Sequence, residues 1–156
     1  YAKSDRLGAL YAQWHLEGSE RVNVEQLARV TAKKLDEFIG ARTLKTDATL
    51  FRGGTFPVET VAALKPGAVF VDRGYPSTTI TPTVVGRFAR AEDAGERGVI
   101  FHVRARKGQN AAFMEPYTQH AGEDEILLPR GTKFRVVEHR VPDAQWMPHT
   151  IVVEIE

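Results

Sequence analysis

The chain has 156 residues, 42% hydrophobic and 26% charged, the proportions of one ordinary globular domain able to bury a core. Its 21 Lys and Arg offset 20 Asp and Glu, and this balance lacks the basic excess with which a domain holds nucleic acid. It contains no cysteine, which excludes disulfides, thiolate metal sites and cysteine nucleophiles together.

No apolar run is long enough to span a bilayer. The chain opens Tyr1-Ala2-Lys3-Ser4-Asp5, with neither Met nor a leader pattern. It therefore reads as a single domain over 1–156, cut from a longer protein or processed. The first 40 residues have helical periodicity. Leu7, Leu10, Tyr11 and Trp14 share one face of a first helix. A second helix takes Asn23 as N-cap, Gln26 as the partner of a capping box and Gly40 as its stop. Leu27, Val30, Leu35, Phe38 and Ile39 form its apolar stripe, with Lys33 and Lys34 outward.

From Thr49 the pattern turns to short β-like runs. Thr49-Leu50-Phe51-Arg52 precedes Gly53-Gly54, where backbone can approach another group closely. Pro57 suits the first turn of a short helix to Leu64, closed by Pro66-Gly67. Strands are predicted over 68–72 and 78–81. Thr81-Pro82 then reads as an N-cap and first-turn proline opening a helix to about Arg90. A polar loop covers 92–98, and strict alternation predicts a strand over 99–105. Residues 109–122 read as irregular. Three further strands cover 125–128, 133–140 and 150–155, the first two joined by the turn Pro129-Arg130-Gly131-Thr132. Helices first and strands later predict an α+β fold on a largely antiparallel sheet, without the alternating units of a parallel nucleotide-binding sheet.

Neither glycine-rich phosphate loop is present, and the surroundings of Ser77 do not make a hydrolase nucleophile elbow. The five histidines (His15, His102, His120, His139, His149) have no zinc-ligand spacing, so no metal is expected. Three features remain: Arg52 before two glycines, Ser77-Thr78-Thr79 opening a strand, and Glu123-Asp124-Glu125 at a strand mouth. On an extended strand Glu123 and Glu125 would project from one face. Two carboxylates so placed repel, which favours a cation or a reaction beside them.

The order of Leu50-Phe51-Arg52-Gly53, then Ser77-Thr78-Thr79, then the run from Gly122 through Glu123-Asp124-Glu125 to Phe134 resembles the mono-ADP-ribosyltransferases of the Arg–Ser–Glu, clostridial-toxin-like class. Val22-Asn23-Val24-Glu25-Gln26-Leu27 resembles the helix ahead of the first motif, and the resemblance extends to Ile155. It implies an α+β fold with N-terminal helices on a mostly antiparallel two-sheet core. It also implies an NAD+-dependent enzyme that moves ADP-ribose to an arginine of a protein target and releases nicotinamide. By this resemblance Glu125 is the catalytic carboxylate at the ribose 2′-hydroxyl, Ser77 orients it, and Arg52 grips the dinucleotide. Gly53 and Thr78 contribute to the NAD+ site, with Phe88 and Arg90 as further contacts, although their spacing is tighter than the family pattern. Glu123, two before the catalytic acid, implies arginine as acceptor. The loop 113–122, with Phe113 or Tyr117, would recognise the target. The implied protein is monomeric, without a metal, and secreted or delivered into another cell. Alternatives are an NAD+ glycohydrolase, a nucleic acid acceptor, or an inactive binding module of the same fold.

Overall fold

The structure, a computed structural model, describes residues 21–117 and 122–156. The helix expected around Leu7, Leu10, Tyr11 and Trp14 lies outside the described residues. The next helix, α1 (Arg21–Gly40), ends at the expected glycine. Asn23 is already helical, so it is not the N-cap. Ile39 is fully buried, and Leu35 and Phe38 pack beside it, while Lys33 and Lys34 face outward as expected. Val30 is 44% exposed and stands outside the core face that Leu35, Phe38 and Ile39 form. Past the end of the helix, Arg42 Nη1 donates to the Phe38 carbonyl at 2.8 Å, an acceptor the last turn leaves open.

Strand β1 (Ala48–Pro57) continues through Gly53 and Gly54 because all ten residues pair with β4 (Glu96–Ala105). Strand β4 thus begins inside the segment expected to be loop. Pro57 ends β1 and caps the short helix α2 (Val58–Ala63). Strands β2 (Val69–Asp72) and β3 (Ser77–Thr79) follow as expected. Pro82–Phe88 forms a 3-10 helix, not the longer α-helix predicted. The Thr81 hydroxyl does not cap it; it donates instead to Asp124 Oδ2 at 2.7 Å. Gly53 and Gly98 let this helix lie against β1 and β4. A methyl on Gly53 would stand 2.5 Å from the Val85 carbonyl oxygen, and one on Gly98 would overlap the Ala89 carbonyl. The segment read as irregular contains β5 (Ala112–Phe113) and a 3-10 turn over Glu115–Tyr117. Strands β6 (Glu125–Leu127), β7 (Thr132–Arg140) and β8 (His149–Ile155) complete the chain.

Among the described residues, hydrogen bonds join eight strands in the order β2-β7-β8-β4-β1-β3-β6-β5, parallel only between β4 and β8. The expected two sheets are therefore one continuous sheet. Its shape follows from chain length. Asp72 to Ser77 and Leu127 to Thr132 each have four residues between them, a reach of about 18 Å. Yet β2 and β3, like β7 and β6, stand five places apart in the order, about 24 Å on a flat sheet. The sheet must fold over. The bend lies where β1 and β3 share a single residue pair, Phe51 with Thr79. The two turns cross side by side, with the Gly131 N–H donating to the Asp72 carbonyl at 2.8 Å. Leu50, Phe101, Val103, Phe134, Val136 and Ile151 accordingly share one core with Ile126 and Leu128 from the folded-over end. Leu127, on the other face of β6, packs with Ala112 against Ile39 of α1.

Two histidines far apart by spacing meet across β7 and β8. His139 Nδ1 lies 2.9 Å from the Leu64 carbonyl, which only accepts, so His139 Nε2 accepts from His149 Nδ1 at 2.8 Å. Burial, then the charges of His139 and Arg97, hold the His149 pKa below the ordinary imidazole value. Burial and Arg140 lower His102 likewise. Below about pH 6.5 the unfolded chain takes up protons that these folded groups refuse, so stability is full above that pH and falls as acid is added. The urea midpoint is expected to drop between pH 7.5 and 5.5, and His149→Gln should flatten the drop; an unchanged slope in that variant would contradict the assignment.

Candidate active site

The three motifs lie on three neighbouring strands, β1, β3 and β6. Thr79 pairs with Phe51 on one side and with Glu125 on the other, so the neighbour of Arg52 and Glu125 itself flank one residue of β3. The Ser77 hydroxyl donates to Glu125 Oε2. Glu125 is only 5% exposed, and a carboxylate taken that far out of water needs such a donor. Ser77 can supply it because antiparallel pairing sets its side chain diagonally across from Glu125 on the shared face.

The remaining hydroxyls serve the strand mouth. Thr78 is buried, and its hydroxyl donates to the Ile126 carbonyl at 2.8 Å, which joins its side chain to β6. The Thr79 hydroxyl donates to the Glu123 carbonyl at 2.6 Å and accepts from the Thr81 N–H at 3.1 Å.

Glu123 and Glu125 do not share a strand face. Strand β6 begins only at Glu125, and Asp124 has φ 47°, a left-handed residue that breaks the alternation. A short aspartate tolerates that conformation, and its carboxylate is held there by Thr81. Both N–H groups flanking Glu123 are also held. Gly122 N donates to Glu115 Oε1 at 2.6 Å, and Asp124 N to Glu115 Oε2 at 3.2 Å.

Arg52 forms an ion pair with Asp72, each side chain 13% exposed. Asp72 Oδ1 also accepts the Gly74 N–H at 2.8 Å, so one carboxylate ties the guanidinium to the turn that leads into Ser77. Arg52 and Asp72 line a cavity of about 210 Å³ whose walls include Phe56, Phe70, Phe101 and Phe134. Of the other expected contacts, Gly53 is explained by the 3-10 helix packed on it. Phe88 is 48% exposed beside that glycine. Arg90 is exposed, and its carbonyl accepts the Thr55 hydroxyl at 3.0 Å. Phe113 is half-exposed on β5.

Helix α1 reaches this region through Asp36. Its carboxylate lies 2.6 Å from the Tyr75 hydroxyl, two residues before Ser77, and accepts from Arg130 Nη2 at 2.7 Å after β6. Burial first, then the Asp36 bond and charge, push the Tyr75 pKa up to about 12. Sequence reasoning missed Asp36, Asp72 and Glu115. Only Asp72 carried a local signal, the turn-forming Asp-Arg-Gly spacing. Among the described residues no group of three or more His, Asp or Glu could hold a metal ion. No helix among them is long and apolar enough to cross a membrane.

The family model described as ADP-ribosyltransferase exoenzyme matches residues 19–153. The chain belongs to this family. An ADP-ribosyltransferase takes its ADP-ribose from NAD+, which is thus the co-substrate. No curated protein matches the chain by sequence. Among solved structures the fold is similar to an ADP-ribosyltransferase from Clostridium botulinum, at TM-score 0.69 and 18% identity over 98% of this chain and 80% of that one. It is also similar to a protein from S. aureus, solved with NAD, at TM-score 0.67 and 15% identity over 84% and 72%. The Vis toxin from Vibrio splendidus gives TM-score 0.68 and 21% identity over 90% of this chain and 62% of its own length.

Ser77→Ala should leave the buried Glu125 short of a hydrogen bond and lower stability by about 1–3 kcal/mol. The same variant should release nicotinamide from NAD+ at least about tenfold more slowly, since the acid loses its orientation. Wild-type rates in a folded Ser77→Ala protein would refute the role of this contact.

Proposed function

We propose that this exoenzyme-family domain, residues 1–156 acting as one catalytic unit, transfers ADP-ribose from NAD+ to an arginine of a target protein. The observation that carries the reading is the buried Glu125, oriented by Ser77 on the strand next to the one bearing Arg52. In the reaction the bond between nicotinamide and ribose breaks, and nicotinamide leaves with the bonding electron pair. The ribose carbon left behind is oxocarbenium-like, and a preorganised carboxylate beside it stabilises that charge. Glu125 takes this role, holding the ribose 2′-hydroxyl. Arg52 exchanges its carboxylate partner, Asp72, for oxygens of the dinucleotide, which suit its planar fork. The Gly53 backbone, Phe88 and Arg90 line the approach of the cofactor.

The acceptor nitrogen attacks the same ribose carbon from a guanidinium, which is a poor nucleophile until it gives up a proton. Glu123, at the entrance to β6, binds the guanidinium and takes that proton. A Vis structure in complex with agmatine supports this choice, because agmatine carries the same guanidinium head as arginine. Phe113, half-exposed on β5, offers an aromatic contact to the target. Similar folds include toxins from Paenibacillus larvae and Vibrio splendidus, and the domain is read likewise as a toxin or effector acting, as a monomer, outside the cell that makes it.

Glu125→Ala should slow nicotinamide release by about 100- to 1,000-fold, the usual cost of losing one preorganised charge. Glu123→Gln should keep release within about threefold while ADP-ribosylation of agmatine falls at least tenfold. Both are read by chromatography of nicotinamide and by mass spectrometry of the adduct. Equal labelling by Glu123→Gln and wild type would overturn arginine as the acceptor. Turnover unchanged in Glu125→Ala would overturn the catalytic assignment.

A further inference from the structure

We propose that Glu115 is a positioning residue for acceptor choice: its carboxylate latches the backbone on both sides of Glu123 and so holds that side chain at the mouth of β6. The inference rests on Glu123 serving the acceptor as described above. The geometry is specific. Glu115 Oε1 accepts the Gly122 N–H at 2.6 Å, and Oε2 accepts the Asp124 N–H at 3.2 Å. One carboxylate thus spans Glu123, using a separate oxygen for each flanking donor.

The latch works against a backbone that would otherwise relax. Gly122 has φ 90° and Asp124 has φ 47°, two positive values either side of Glu123. For the aspartate this region is sparsely populated and must be held by its surroundings. Other contacts secure the same short stretch. Thr79 holds the Glu123 carbonyl, Thr81 holds the Asp124 carboxylate, and the Met114 N–H donates to the Glu125 carbonyl at 2.8 Å. The threonines belong to the Ser77 side of the site. Glu115 ties the backbone around Glu123 to the segment that leads from β5, the strand bearing Phe113. Glu125 itself is anchored separately, by Ser77 and by strand pairing with β3. Loss of Glu115 should therefore loosen Glu123 and leave Glu125 in place, separating transfer from hydrolysis.

The test compares Glu115→Ala and Glu115→Gln with wild type. In Glu115→Ala, ADP-ribosylation of agmatine should fall about tenfold, mainly through a higher KM for agmatine, while nicotinamide release without acceptor stays within about twofold. Gln retains one acceptor oxygen and should fall between the two. If Glu115 acted only by its charge, Gln would lose as much as Ala, and that result overturns the latch. A parallel loss of transfer and hydrolysis would also overturn it, as a general structural effect. Hydrogen exchange supplies a readout independent of the acceptor: the Gly122 and Asp124 amides should exchange at least about tenfold faster in Glu115→Ala. Unchanged exchange at both refutes the latch. If wild type fails to label agmatine, the arginine reading falls, and the exchange result alone then decides for or against the latch.

Discussion

Two four-residue turns govern this molecule. Each joins strands that a flat sheet would hold farther apart than four residues can reach, so the sheet has to fold over where Phe51 meets Thr79. Folding brings Ile126 and Leu128 into the same core as Phe134 and Val136, and the burial of these side chains stabilises the bend. It also brings Asp72, on the outermost strand, against Arg52, four places away in the hydrogen-bond order. Without the fold-over neither the core nor the ion pair could form.

The site inherits its character from that geometry. Glu125 is buried because it opens a three-residue strand enclosed between β3 and β5, and its burial makes the Ser77 hydroxyl necessary. The polar groups around it are engaged within the protein. Thr78 serves Ile126, Thr79 serves Glu123, Thr81 serves Asp124, and Asp72 serves Arg52. Such networks rigidify a site when every member is satisfied, and they set reactive groups in place before a substrate arrives. Helix α1 adds a second support through Asp36, which touches both Tyr75, two residues before Ser77, and Arg130 in the turn after β6.

Much of this was legible along the chain. Alternation from Val99 to Ala105 marked β4, and Pro57, Gly40 and the Pro129–Thr132 turn marked element ends correctly. Misreadings arose where tertiary contacts overrode a local signal. Asn23 has the chemistry of an N-cap but lies inside α1. Thr81 looks like a cap yet spends its hydroxyl on Asp124, 43 residues later. Gly53 and Gly54 read as a point of close backbone approach, and pairing with β4 carries β1 through them. Glu123 and Glu125 obeyed the spacing of a strand face, and the left-handed Asp124 removed the premise.

The sequence alone determined which chemical groups were available and in what order: a guanidinium, a hydroxyl and a pair of acids, each beside a short β-branched or apolar run that would extend. Local propensity and periodicity act over a few residues, so they could specify strands but not neighbours. Only the tertiary structure decided that β1, β3 and β6 adjoin, that Asp72 engages Arg52, and that Glu115 reaches across to the backbone around Glu123. Those pairings depend on where the sheet bends and on which buried polar atoms are left needing a partner. Both are properties of the packed whole, and no stretch of the chain contains them.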